Sequence, residues 1–241
     1  MQQIIETIIY DYSYFSLYGL TFVYFLFLYF VLAPLFLSVC KLLNKKGILH
    51  KIINKKVKRK QLIFEIKHSF KSIVIFGFSV LPIIYLIRIG KITLLPDTFL
   101  NIIIGIVVLT VWNEIHFFVV HRIMHLPFFM KRVHFVHHQS RVPTVWSVYS
   151  FHWFEAFLLS TVPLTIMPFV PFSIIAVFLY PLASILLNYA GHCNYRFGDG
   201  YGNSWKLFGT FHNEHHSRGR DNYGFASNAL DKFYQRYIKK H

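Results

Sequence analysis

The chain is poor in the residues that staple or charge an ordinary soluble domain. Of its 241 residues only two are cysteine, Cys40 and Cys193. They provide no disulfide framework and no cysteine spacing for an iron–sulfur cluster or a structural zinc site. Cys40 ends an apolar run and reads as a small buried hydrophobe; Cys193, beside His192, reads the same way, with a place at a site as the lesser alternative. Acidic residues are also few, ten Asp and Glu against 25 Lys and Arg. That leaves little material for the carboxylate-rich ligand sets of soluble two-metal helix bundles. Charge of either sign is missing altogether from residues 13–40 and 156–190. The first of these runs is too long for the apolar core of a leader peptide and has no basic stretch before it, so a cleaved leader is not expected.

What is abundant is apolar. Hydrophobic residues make up 55% of the chain, with 27 Phe and 15 Tyr, and the mean hydropathy is +0.45. Gathered in long uncharged runs, such residues point to a membrane protein. The net charge of +15 could suggest nucleic acid, but 11 of the 25 basic residues lie between Lys41 and Lys71. In a membrane protein such a loop faces the cytosol and its anionic lipids, so no nucleic-acid partner is expected. Residues 13–40, with a kink near Pro34, form a first expected span. Loop 41–71 has apolar residues at near-helical spacing and is expected to carry an amphipathic surface helix. Further spans are expected from about Ser72 to Ile89 and from about Thr98 to Val120. Positive-inside orientation then puts the end of the third span, at His121, on the cytosolic side. Residues 156–190 would reach about 52 Å as one helix and hold Pro163, Pro168, Pro171 and Pro181. A hairpin turning near Pro168–Pro171, or a re-entrant pair, accommodates them. Residues 193–241, with Gly198, Gly200 and Gly202, read as a polar cytosolic cap. The expected fold is an all-α integral membrane protein of four to five transmembrane or re-entrant helices with a cytosolic histidine-rich cap. It divides into residues 1–97, a transmembrane pair with the basic loop 41–71, and residues 98–241.

That cap is where the histidines fall. His121, His125, His134, His137 and His138 occupy eighteen residues, as H-x3-H followed by H-x2-H-H. His212, His215 and His216 repeat the second spacing, and His192 stands between. Imidazole is the commonest metal ligand, and residues three or four apart share a helix face. A lone histidine is usually a packed or surface residue, but three clusters at helical spacing point to joint metal binding. Nine imidazoles exceed one coordination sphere, so two ions are expected, of a kind that imidazole suits: Zn, Cu, Fe or Ni.

HRIMH (121–125), HFVHH (134–138) and HNEHH (212–216) resemble, in order and spacing, the three main histidine boxes of the fatty acid hydroxylase/sterol desaturase superfamily of membrane-bound di-iron oxygenases. The stretch from His137 to Thr144 and Asn222-Tyr-Gly224 resemble shorter motifs of that family, and the likeness covers roughly residues 98–235. The resemblance implies two iron ions that use O2 and two electrons to hydroxylate or desaturate an unactivated C–H bond of a lipid, such as an acyl chain, sterol or ether lipid. It also implies a separate electron donor of cytochrome b5, ferredoxin or reductase type, since no cytochrome or flavin domain is visible. The host membrane would be a bacterial inner membrane or the endoplasmic reticulum.

Against the family pattern, the third region pairs Asn188 with His192 where many relatives have two ligating histidines. Asn188 either holds a metal through water or packs at the helix end. Glu114, nearly on the face of His121, either takes the second ring N–H of a ligand histidine or is a satisfied polar residue. Glu214 either supports a ligand or is solvated. His152-Trp-Phe-Glu155 departs from the family's His-Pro-x-Glu and is expected to be structural. His116, His50, His68 and His241 are given no role, and Arg122 is expected at lipid headgroups or a redox partner. Two other function classes compete. A metal transporter would carry its ligands at mid-membrane, and a zinc hydrolase would keep three ligands and an open position.

Overall fold

Two prolines decide where the long apolar runs bend. Proline lacks the N–H that would bond to the carbonyl four residues back, and its ring clashes there. The computed structural model, which describes residues 2–197, 209–219 and 221–238, begins with α1 (Gln2–Tyr10). Ser13 then caps α2 (Tyr14–Phe30), its hydroxyl accepting the Ser16 N–H. Pro34 acts on Phe30, where α2 stops, and α3 (Leu32–Lys45) continues after a one-residue break. After the short strand β1 (Leu49–Lys51), α4 (Arg59–Gly77) leads into α5 (Val80–Arg88). The break lies at Phe78 and Ser79, three to four residues before Pro82.

The basic segment therefore differs from its expectation. It is not a surface helix followed by a span from Ser72: its first residues complete α3, its middle forms β1, and from Arg59 it opens the membrane helix itself. Long Lys and Arg stems can lie along apolar surface while the charged head stays in water. A charged first turn or two thus does not stop a membrane helix. Tyr14–Lys45 and Arg59–Arg88 are each long and apolar enough to cross a membrane, as are two later helices, Phe99–Met124 and Ile174–His192.

The remaining elements form two strand–helix units joined by the first histidine segment. The strand β2 (Leu94–Leu95) precedes α6 (Phe99–Met124), which Thr98 caps. There follow α7 (Pro127–Phe129), a π-turn (Met130–His134) and α8 (Phe135–His138). The chain returns through α9 (Trp153–Ser160) and α10 (Val162–Ile166) to the strand β3 (Phe172–Ser173), then α11 (Ile174–His192). β2 and β3 pair in parallel, Leu94 with Phe172, and Asp97 Oδ1 accepts from the Ser173 hydroxyl and the Ile175 N–H. The leg 153–173 is broken by its prolines and is no long helix, yet it runs the length of the bundle to the end opposite the histidines. The pair 156–190 is thus a full-depth hairpin with one irregular leg.

Because β2 and β3 are parallel, α6 and α11 run the same way, and they meet at small residues. A Cβ built on Gly105 would lie 2.6 Å from Ala176 Cβ, the close approach that small residues allow between membrane helices. His121 and His192 each lie 16 residues beyond that contact (121 − 105 and 192 − 176), about 24 Å along either helix. The contact therefore brings both histidines to one level. Gly105→Val should destabilise the protein by about 1–3 kcal/mol through overpacking. Thermal unfolding in detergent measures this, and an unchanged midpoint would dissociate the contact from the helix pair.

At the histidine end β4 (Tyr195–Phe197) pairs antiparallel with β1, Lys51 opposite Tyr195. Asn194 ties the same two segments by side-chain bonds to the Ile53 N–H and carbonyl. The basic segment and His192 thus share one end of the bundle. The chain closes with α12 (Thr210–Arg218) and α13 (Ala229–Tyr237). Gly198, Gly200, Gly202 and His241 lie outside the described residues. Cys40 and Cys193 are both buried in the core cluster of α2, α4 and α11 rather than among the histidines.

Candidate metal centre

Nine histidines from four segments converge in two groups. The first contains His121, His125, His134, His138 and His215; the second contains His137, His192, His212 and His216. Helical spacing explains the division. In H-x2-H-H the first and last histidines are four apart and share a face, while the middle one turns aside. On the segment 134–138 the outer pair joins the first group and His137 the second. On α12 the assignment is exchanged: His212 and His216 join the second group and His215 the first. The π-turn before His134 lies within this arrangement, the kind of helix irregularity that often accompanies functional sites. It has no signature in the histidine spacing.

The donor atoms suit cations. His134 donates its Nδ1–H to Glu155 (2.7 Å), His121 to the Tyr223 carbonyl (2.9 Å), His215 to the Asp221 carbonyl (2.6 Å) and His192 to the Asn188 carbonyl (3.0 Å). Each such bond fixes the tautomer whose Nε2 carries a bare lone pair. Yet Nε2 atoms face one another at 3.1 Å between His134 and His138 and at 3.0 Å between His125 and His215. In the second group the corresponding separation is 3.1 Å between His192 and His212. The His138 Nε2 lies within 3.3 Å of the Nε2 atoms of His125, His134 and His215, and a single N–H can serve only one of three acceptors, whereas a cation between the rings would satisfy them all. Ligands ~2.1 Å from one ion and at right angles to each other are about 3.0 Å apart. The His121 Nε2 and both ring nitrogens of His216 are buried without a hydrogen-bond partner among the described residues. The residues present therefore fit two metal ions.

Electrostatics keep these rings ready to bind. Burial, then the neighbouring His215 and His138, push His125 down to about 3, and burial pushes His138 down to about 3 and His215 to about 4. Burial followed by crowding among the imidazoles holds His134, His137, His212 and His216 well below the usual histidine range. All are neutral at pH 7, so no proton competes for the lone pairs.

The supporting residues depart from expectation in several places. Among the described residues Glu114 makes no hydrogen bond to a histidine. Its carboxylate accepts the N–H groups of Phe225, Ala226 and Ser227, while Asp231 accepts those of Tyr223 and Gly224. Together they clamp the segment whose Tyr223 carbonyl receives His121. A Cβ on Gly224 would fall 1.9 Å from the Ser227 carbonyl oxygen and 2.9 Å from Glu114, which accounts for the glycine of Asn222-Tyr-Gly224. Glu155, expected to be structural, is the acceptor for His134, whereas His152 does cap α9 through Nδ1. Glu155 carried a signal: it is the one Asp, Glu, Lys or Arg between Arg141 and Arg196, and a lone charge in an apolar run has a functional reading by default. Glu214 is half-buried and makes no side-chain bond to a histidine among the described residues. His116 bonds Thr161 and stays outside both groups. Arg122 lies 3.6 Å from the Tyr234 ring centroid and 4.9 Å from that of Tyr223, so it holds α13 and the clamp segment against α6.

Asn188 sits one turn before His192, the position that His121 holds relative to His125 in the first group. Its amide donates to the Val148 carbonyl (3.0 Å). Among the described residues the second group has four histidine donors where the first has five.

A cavity of ≈ 100 Å³ lies among α2, α4, α6 and α11, lined by residues that pack against both groups. Phe25, Phe76, Phe117, Tyr149, Phe151 and Asn188 are among its walls. The Phe117 ring packs 4.8 Å from His121 and 6.4 Å from His212, and Phe151 lies 4.7 Å from His137. No histidine is among the described residues that line it; Phe117 and Phe151, which do line it, pack against the histidines of the two groups. A family model for fatty acid hydroxylase matches residues 106–235, from α6 through most of α13. The chain belongs to the fatty acid hydroxylase family. No solved structure matches it. For a hydroxylase of this family the match spans every histidine of both groups, together with Glu114, Glu155 and Asp231.

Proposed function

We propose that the protein is a membrane-bound di-iron oxygenase that hydroxylates or desaturates an unactivated C–H bond of a lipid. The observation that supports this best is the junction of two adjacent all-histidine groups with an apolar cavity inside the helix bundle. His121, His125, His134, His138 and His215 would hold one iron, and His137, His192, His212 and His216 the other. When bound, the iron pair would supply the O2-dependent, two-electron chemistry that attacks a C–H bond. The chain's own residues hold and orient. Glu155 and the carbonyls of Asp221, Asn188 and Tyr223 lock the imidazoles. Phe117, Phe151 and Phe225 exclude water from the space where the substrate carbon would rest, which protects a strongly oxidising step. Asn188, with no imidazole to offer, leaves room beside the second group.

Electrons would come from a separate donor of cytochrome b5, ferredoxin or reductase type, arriving at the cytosolic end where the basic segment and the histidines meet. Cysteines placed at Lys46 and Gln235, both exposed, should then react with an impermeant reagent from the same, cytosolic side. Labelling from opposite sides would refute that topology.

The chemistry is tested by purifying the protein from iron-supplied cells, counting metals, and following label from isotopic O2 into extracted lipid. Two irons per chain and labelled, oxidised lipid are expected. A single zinc with no oxidised lipid would overturn the proposal in favour of a hydrolase.

A further inference from the structure

Resting on that reading, we infer that the substrate carries a neutral oxygen acceptor (a carbonyl, ether or hydroxyl oxygen) about 12 Å from the carbon that is oxidised, and that Asn113 binds it. Asn113 lies on α6 eight residues before His121 (121 − 113), two turns or about 12 Å deeper into the bundle. It lines the cavity and is only 6% exposed. Its Oδ1 accepts from the Tyr180 hydroxyl at 2.8 Å. That bond orients the amide and leaves Nδ2 as the free end. Nδ2 is buried with no hydrogen-bond partner among the described residues.

An unpaired amide donor in an apolar interior is costly and is seldom retained without a partner. Its chemistry defines that partner. The amide nitrogen only donates, so the matching group must accept. A pure hydrocarbon would leave the donor unpaired. A carboxylate would bring a charge beside walls that, among the described residues, contain no Lys, Arg or His. What remains is a neutral oxygen on an otherwise apolar chain. With the aromatic walls around it, the cavity would read the substrate at two points, an apolar reacting end beside Phe117 and Phe151, which pack against the histidines, and an oxygen at Asn113. Sites that hydrogen-bond one polar group of a substrate discriminate strongly against analogues lacking it.

The experiment compares two probes, a symmetrical long-chain dialkyl ketone and the hydrocarbon of the same length, each bound to the purified full chain in detergent. Binding is followed by competition with a fluorescent fatty chain, and the ketone carbonyl is watched by isotope-edited infrared spectroscopy. The wild type should prefer the ketone by about tenfold, one net hydrogen bond, and the carbonyl band should move to lower frequency. Asn113→Leu should abolish both the preference and the band shift while still binding the hydrocarbon. Equal binding of the two probes by the wild type overturns the inference and leaves the lipid oxygenase reading intact, and this comparison needs no variant to fold. A preference that survives Asn113→Leu also overturns it. If neither probe binds, the lipid cavity itself is wrong and the inference falls with it.

Discussion

Replacing His137 with alanine should leave the protein with one metal ion per chain and should cut activity by more than ~100-fold, beyond the ~10–100-fold that usually follows loss of an outer partner. The reasoning rests on the unequal groups. Among the described residues the second has four histidines where the first has five, and Asn188, at the position matching His121, donates its amide to the Val148 carbonyl. Losing His137 reduces it to three donors on two elements, α11 and α12. The same change at His125, the least buried member of the five-donor group, leaves four imidazoles in place. His125→Ala should therefore retain most of its metal. Metal analysis of the two purified variants decides the matter: equal metal loss from both would show that the groups do not act as two separate sites. Asn188→His provides the converse test, since a fifth imidazole should tighten retention of the second ion against a chelator.

Glu155→Ala should cost about 10–100-fold in metal affinity or activity. The 2.7 Å bond from the His134 Nδ1–H is buried on both sides, and truncation leaves that donor without an acceptor at a cost of about 1–3 kcal/mol. It also frees the ring to adopt the tautomer with a proton on Nε2, which cannot ligate. Glu155→Gln retains an acceptor oxygen and should lose much less. Metal titration of the two variants separates the roles: if glutamine proves as damaging as alanine, the negative charge rather than the acceptor is what matters.

The histidines were legible because three- and four-residue spacings are short-range facts of helix geometry, and the spacing alone brings His134 toward His138 and His212 toward His216. The membrane helices were legible for a similar reason, with breaks three to four residues before Pro34 and Pro82 following from one missing N–H each. What escaped was long-range. Glu155 reaches His134 across 21 residues (155 − 134), and Glu114 reaches Phe225 across 111. No periodicity encodes such distances. Main-chain acceptors are hidden still more completely, since the carbonyls of Tyr223, Asp221 and Asn188 leave no trace in residue identity. The basic segment was misjudged because charge was taken to end a span, whereas long side chains at a helix terminus extend it.

The exchange of histidines between residues 134–138 and α12 has a consequence for how the protein is loaded. Each bound ion would cross-link the same two segments, one rung above the other. Filling the first position fixes the relative placement of those segments, and the second position is then already assembled. Metal uptake should accordingly be cooperative, passing from empty to doubly loaded with little of the singly loaded form. The segments themselves would gain much of their order from that uptake.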